Sequence, residues 1–479
     1  MYGVNEISAV PRHALNNNIN NINNIIMNIK KIAMLLAALI AINSADAARV
    51  NQFGKDTEVC DPVLIYTGGV AKRATWDKTN LKPYVTHTYA DGHVDWFYDA
   101  FIFNETTWWG KPLCNTIGST PATQADWLKF IDHIFADNSD LGALDALITE
   151  MKATLGEPRM RHKVIIGYCV PCMDHSYRSP DGGDAGFQWT KFNWGTVDGV
   201  EMDFSKPEHR LAAVKWYVDE CISRFEQKGY KNIDLAGFYS VEESMNPRVS
   251  NGDMQAQYND YVHERGLRAY WIPYWYDNDS YATVWKEKYH FDMAYRQPNY
   301  FFYNNDGTLP PFSQLTAAIN NSKLYGLGLE LEFETAERSN GLNEVSPAMH
   351  QRLIDYIDEF ERMGVWDNAG VAHYGGSVGY INMDKSTDPV NHATMDRLAD
   401  LVVKRQSAFA GIEGVTAEQH RQVAYSGQGE IFISAEYPEA RVYNIAGREV
   451  FSGWGRFACE PGIYIVTSGT GLTTKINCF

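Results

Sequence analysis

Between Val63 and Tyr374, apolar runs of strand length alternate with stretches of helical spacing, and the alternation repeats eight times. The strand candidates are Val63–Tyr66, Trp96–Phe103, Lys163–Cys169, Ile233–Val241, Leu267–Pro273, Phe291–Arg296, Leu324–Glu332 and Gly370–Tyr374. The clearest helices are Pro207–Lys228, His392–Gln406 and Ser346–Met363, where Ser346 offers an N-cap and Pro347 a first helical residue. Eight β/α units over about 350 residues predict a (β/α)8 TIM barrel. A doubly wound sheet is the alternative. No G-x-G-x-x-G follows an early strand, which weakens that alternative and any dinucleotide function with it.

The seventh strand carries the densest chemistry. In Lys323-Leu-Tyr-Gly-Leu-Gly-Leu-Glu-Leu-Glu-Phe-Glu334 the odd positions from Leu327 to Phe333 are apolar. The even positions are Gly326, Gly328, Glu330, Glu332 and Glu334, a period of two. In a barrel, the glycines would lie near the crowded axis and the carboxylates at the C-terminal rim, where barrel active sites are built. Strand four ends Gly237-Phe-Tyr-Ser-Val-Glu-Glu-Ser244 and delivers Glu242 and Glu243 to the same rim. Strand phase favours Glu242 as inward, with Ala236 and Ser240 on its face, and a bulge would exchange it with Glu243.

Two carboxyl groups facing one another across a dry cleft are what glycoside hydrolysis requires. One must hold a proton for the leaving oxygen, and the other must be ionised to attack or to stabilise the oxocarbenium-like transition state. Carboxylates at the ends of strands four and seven resemble the pattern of clan A glycoside hydrolases, barrel enzymes that retain anomeric configuration. The resemblance implies Glu242 or Glu243 as acid/base and Glu332 or Glu330 as nucleophile. The sequence departs from that pattern before the strand-four acid, where clan A enzymes usually carry Asn and this chain has Val241.

Further candidates for substrate binding fall around the same strand ends: Tyr66, Asp99, Asn104, Tyr239, Tyr274, Trp275, Tyr295, Arg296, His373 and Tyr374. A rim arginine such as Arg296 either orients a carboxylate or reads an acidic sugar. Aromatic residues make up 13% of the chain, and those gathered at strand ends suit stacking on a pyranose. No metal or other cofactor is expected. Asp277-Asn278-Asp279 lacks the spacing of a calcium loop, and H-E-x-x-H and phosphate-loop motifs are absent. The net charge of −17 argues against nucleic acid or an anionic membrane as partner.

The stretch from Val63 to Phe409 resembles an uncharacterised bacterial family, domain of unknown function 4855. The resemblance is carried by Trp96-Phe-Tyr-Asp-Ala-Phe-Ile-Phe103, Gly237–Ser244 and Gly328-Leu-Glu-Leu-Glu-Phe333. It implies a barrel found among exported proteins and transfers no substrate. Taken together, the expectation is an exported glycoside hydrolase acting on a polysaccharide or oligosaccharide. A glycan-binding surface protein that has lost catalysis is the alternative.

Beyond Ser407 the pattern changes to short strands with turn residues between them: Glu430–Ser434, Ala440–Val450, Pro461–Val466 and Thr473–Ile476. These predict a small β-sandwich over 410–479, following a barrel domain over 48–409. Its Val442-Tyr443-Asn444 … Gly447 run and Pro461-Gly462-Ile463-Tyr464 … Lys475 ending resemble the sorting domains of the type IX secretion pathway, implying contact with secretion machinery. Cys459 and Cys478 are its expected disulfide. Cys169-Val-Pro-Cys172 follows a strand without opening a helix and reads as two cysteines at a strand end. The segment 1–47 reads as an Asn/Ile-rich leader followed, from a second start at Met27, by a signal peptide. Its parts are basic Lys30-Lys31, an apolar run Ile32–Ile42 and the cleavage site Ala45-Asp46-Ala47. That apolar run is too short to span a bilayer.

Overall fold

The chain is described from a computed structural model. It describes residues 59–67, 75–114, 121–171, 193–246, 250–274, 281–304, 306–335, 347–410, 424–427, 430–433, 437–468 and 473–478. The signal-peptide segment, Trp275, Cys172, the Asp277–Asp279 turn and the Ser346 cap lie outside the described residues. The chain divides into two compact units between Gln419 and His420.

The larger unit is a closed barrel of eight parallel strands: β1 (Pro62–Tyr66), β2 (Ala100–Asn104), β3 (His162–Tyr168), β4 (Ile233–Ser240), β5 (Arg268–Trp271), β6 (Met293–Arg296), β7 (Gly328–Glu332) and β8 (Val371–Tyr374). Each strand pairs with its neighbours in sequence, and β8 closes on β1. The connections carry α1 (Lys78–Val85), α2 (Gln124–Ile134), α3 (Asp140–Leu155), α4 (Pro207–Lys228), α5 (Gln255–Glu264), α6 (Phe312–Tyr325), α7 (Pro347–Arg362) and α8 (Pro389–Ala410). This is the (β/α)8 architecture that the eightfold alternation predicts.

Register fixes which side chains face the axis. Tyr66 pairs with Asn104, Glu330 with Ala372 and Glu332 with Tyr374. The alternate residues Val63, Ile65, Phe101, Phe103, Leu329 and Leu331 face the helices and are buried. Burying each such side chain contributes about 1.5–3 kcal/mol before the entropy of ordering it is counted. Among the described residues no helix is long and apolar enough to cross a membrane.

Three local departures from the expected strands bear on the site. The second strand is shorter than Trp96–Phe103: Trp96 ends a hairpin, Thr86–Thr88 with Val94–Trp96, and β2 begins only at Ala100. The seventh strand does not begin at Leu324, because Leu324 and Tyr325 finish α6 and Gly326 caps it in the left-handed region at φ 70°. Of the two glycines only Gly328 stands in the strand, where an added Cβ would lie 2.8 Å from both the Gly370 carbonyl and the Tyr295 ring. The fourth strand has a register shift between Leu235 and Gly237, a bulge that reverses its phase from there on.

Among the described residues the smaller unit holds seven strands rather than four: β9 (Ala424–Gly427), β10 (Glu430–Ile433), β11 (Arg441–Asn444), β12 (Glu449–Ser452), β13 (Gly455–Ala458), β14 (Gly462–Thr467) and β15 (Thr473–Cys478). They form one sheet in the order β9-β10-β13 and a second in the order β12-β11-β14-β15, all antiparallel. Ala440–Val450 is a hairpin and not one strand, since Gly447 at φ 74° turns the chain back on Asn444. Ile431, Val442, Val466 and Ile476 fill the space between the sheets. Cys459 and Cys478 are joined by a disulfide.

Candidate active site

The bulge in β4 decides which of its two terminal carboxylates reaches the axis. Tyr239 pairs with Gly167 and Tyr270, and Val241 would contact a side chain added at Gly167, so Tyr239 and Val241 face inward. Glu242 consequently turns outward, and Glu243 returns to the mouth. This corrects the phase that favours Glu242. Glu242 is buried behind the wall, where it accepts hydrogen bonds from the Asn251 backbone N–H at 2.9 Å and from Asn251 Nδ2 at 3.2 Å. Its own carbonyl accepts from Trp271 Nε1 at 2.8 Å. Glu243 is exposed, and its Oε1 accepts from Gln297 Nε2 at 3.1 Å.

Glu330 and Glu332 share the axis side of β7, with Glu330 one layer deeper and both fully buried. Burial, and then the charges of Glu332 and Glu243, push the Glu330 carboxyl well above its ordinary value, and its Oε1 has no hydrogen-bond partner among the described residues. Burial also raises Glu332, to about 8, opposed first by the Tyr356 hydroxyl, which donates to it at 2.5 Å and itself accepts from the Tyr300 backbone N–H at 3.2 Å. Asn299 is left-handed at φ 49°, a conformation Asn tolerates better than most residues. Like charges this close cannot all ionise. Burial raises both, and the Tyr356 hydrogen bond makes Glu332 the first of the two to give up its proton while Glu330 keeps it to higher pH.

Aromatic rings surround these carboxyls. Tyr66 and Tyr374 meet edge to face with centroids 5.9 Å apart, and Phe302 meets Tyr374 at the same distance. The Tyr66 hydroxyl is raised by burial first and then by Tyr374, Tyr239, Glu243 and Glu330, so these five groups occupy one neighbourhood. Asn104 ends β2 beside Tyr66 and is buried. Tyr274 is half-buried, and its backbone N–H donates to the Glu243 carbonyl at 2.9 Å.

Four expected ligands lie elsewhere. Arg296 pairs in register with Leu329, on the helix side of the wall, and is wholly buried there. His373 pairs with Leu331 and Val63 on that same side, where its Nε2 lies 3.1 Å from Asp61 Oδ1. Asp99 precedes β2 instead of following it, at the opposite end of the barrel, and accepts from the backbone N–H groups of Cys60 at 2.8 Å and Asp61 at 2.5 Å. Burial and the nearby Asp61 charge push Asp99 up to about 7. Tyr295 faces the axis but is completely buried over Gly328, below the mouth. Conversely, Tyr356 on α7 is not singled out by the sequence. It belongs to the stripe Leu353, Tyr356, Ile357 and Phe360, which reads as core, and only the hydroxyl at its tip is polar.

Fold and site together define a (β/α)8-barrel protein whose mouth is lined with carboxylates and tyrosines. The family described as domain of unknown function (DUF4855) matches residues 61–400, and the chain belongs to it. No curated protein matches the sequence. Among solved structures, an α-amylase from Geobacillus thermoleovorans is similar at 12% identity, with 88% of this chain and 96% of that one covered and a TM-score of 0.35. A family 18 chitinase from Crocus vernus is similar at 13% identity over 71% and 99%, TM-score 0.36. The tryptophan synthase complex of Pyrococcus furiosus is similar at 10% identity over 74% and 98%, TM-score 0.30. Likenesses this distant do not bear on activity, since one barrel hosts many chemistries.

Proposed function

We propose that the protein is a glycoside hydrolase that works with retention of anomeric configuration, its chemistry carried by Glu243 and Glu332. The observation that supports this reading most is the gathering of Glu243, just past β4, with Glu330 and Glu332 of β7 beside Tyr66, Tyr239 and Tyr374. Glu332, which accepts from the Tyr356 hydroxyl, is suited in its ionised form to attack the anomeric carbon or to face its positive charge. Glu243, open to solvent and oriented by Gln297, is suited to give a proton to the leaving oxygen and later to take one from water. Glu330 holds a proton beneath them and limits the charge in the pocket.

Export is part of the same proposal. It is supported by the signal-like segment Met27–Ala47 and by the Cys459–Cys478 disulfide, which suits an oxidising compartment. Delivery through secretion machinery that recognises the C-terminal unit is proposed with it. N-terminal sequencing of the secreted protein should find residue 48 first; a chain retaining residues 1–26 would contradict the leader reading.

Reducing-sugar release from a panel of polysaccharides and aryl glycosides tests the activity, with wild type beside Glu332→Gln. Turnover that disappears in a folded Glu332→Gln, with the first-formed anomer retained by NMR, is the expected result. Saturable glycan binding without turnover of any substrate would replace the enzyme with a binding protein.

A further inference from the structure

The connection after β2 carries a tight hairpin, Thr107–Trp108 paired with Lys111–Pro112. Its two central residues, Trp109 at φ 50° and Gly110 at φ 78°, both lie in the left-handed region, as a type I′ turn requires. Asn, Asp or Gly normally takes the first of these positions, and a bulky side chain there is an outlier. Trp109 is nonetheless 68% exposed, whereas every other described tryptophan of the barrel unit is buried or half-buried. Neither turn preference nor core packing accounts for this residue.

The ring borders a cavity of about 380 Å³ lined by Trp108, Trp109, Lys111, Asp126 and Lys129. Trp108 meets Trp109 edge to face at 6.4 Å, giving the cavity an aromatic wall. Lys111 Nζ lies 2.7 Å from Asp126 Oδ2, so those two charges compensate each other. Lys129 is exposed and makes no ion pair among the described residues. One uncompensated cation beside an aromatic face is notable in a chain of net charge −17.

We propose that this cavity is a subsite for a carboxylated sugar, a uronic acid unit of a glycan chain. The pyranose would stack on Trp109, and its carboxylate would meet the Lys129 ammonium. Trp109 follows Asn104, which stands in the mouth, by five residues, and so lies within about 18 Å of it along the chain. That separation is within the span of a short oligosaccharide, which in this proposal would occupy the cavity and the mouth together. The occupant rests on the glycan reading above; the test is of binding, so the two can fail separately.

Calorimetric titration of the full chain, in a Glu332→Gln background, would compare oligogalacturonate with a neutral galactose oligomer of equal length. The variants are Trp109→Asn, which suits the turn better than Trp, and Lys129→Gln on the exposed face of α2. The expected result is at least tenfold weaker uronate binding in each variant, thermal stability in Trp109→Asn no lower than that of the parent, and little affinity for the neutral oligomer. Equal affinity for both oligomers, unchanged binding in Trp109→Asn, or no binding at all would overturn the proposal. Hydrolysis of a neutral glycan without uronate binding would remove this inference and leave the proposed function. Uronate binding lost in Trp109→Asn, in a protein that hydrolyses nothing, would do the reverse.

Discussion

Glu242 and Glu243 are adjacent in sequence and opposite in circumstance. Glu242 is tied to the Asn251 loop behind the barrel wall, while Glu243 stands open at the mouth with Gln297. Glu330 and Glu332 also share a face and differ in partners: burial raises both, and the Tyr356 hydroxyl holds Glu332 back to about 8 while Glu330 keeps its proton to higher pH. This gives a pH dependence with a definite sign. An unfolded chain releases the Glu330 proton near the ordinary value of 4.5, whereas the folded chain retains it to higher pH. The folded state then binds more protons than the unfolded one, so stability falls as pH rises above that value. Melting temperatures followed from acid toward neutral pH should therefore fall less in Glu330→Gln than in wild type. Parallel profiles would mean that Glu330 ionises as freely in the fold as in the unfolded chain. The four carboxylates were legible from the sequence as residues near a rim. Their protonation was not, because it depends on donors from β6–β7 connections and from Tyr356, brought there by folding.

At the scale of elements, the period of two in β7 was readable because alternate Leu and Glu leave few other arrangements. Its start was not, because Gly326 and Gly328 look alike in sequence and serve different ends. Gly326 caps α6 in a left-handed conformation, and Gly328 lets Tyr295 and the Gly370 carbonyl approach. Gly326→Ala should cost about 1–2 kcal/mol through backbone strain alone. Gly328→Ala meets backbone as well as a ring, and should cost about 1–3 kcal/mol with distortion of the wall beside Glu330. Urea unfolding of both variants, with turnover measured alongside, checks this: a selective loss of activity in Gly328→Ala is expected, and loss in Gly326→Ala alone would contradict it. The bulge at Leu235/Gly237 was equally hidden. Nothing in Ile233–Glu243 marks an extra residue, yet it exchanges the two sides of the strand. Arg296 and His373 differ from expectation for a related reason: in sequence a polar residue near a strand end reads as facing the mouth, whereas register puts both among the helices.

For the whole molecule, the eightfold alternation was enough to name the barrel, because it reports topology without needing exact boundaries. What closes that barrel is polar and long-range. Arg405, from α8, lies 3.3 Å from Asp61 at the entrance to β1, donates to the Cys60 carbonyl at 3.2 Å, and stacks over Trp366. Asp61 also meets His373 from β8, so the first strand, the last strand and the last helix share one buried cluster. Breaking a buried ion pair on one side strands the other charge and costs about 3–5 kcal/mol. Arg405→Met should therefore lower stability by that order in denaturant melts, although it lies at the end of the barrel remote from the carboxylates. A loss within experimental error would mean that the cluster does not hold the barrel closed.

The central claim is that the mouth carboxylates, and Glu243 rather than Glu242, carry the chemistry. The most direct test is turnover of the best substrate by Glu243→Gln and Glu242→Gln, normalised to folded protein. The account predicts a loss of about 10²- to 10⁴-fold in Glu243→Gln, the range for removal of a general acid–base group. It predicts near wild-type turnover from those Glu242→Gln molecules that fold. Full activity in Glu243→Gln, with loss confined to folded Glu242→Gln, would contradict it.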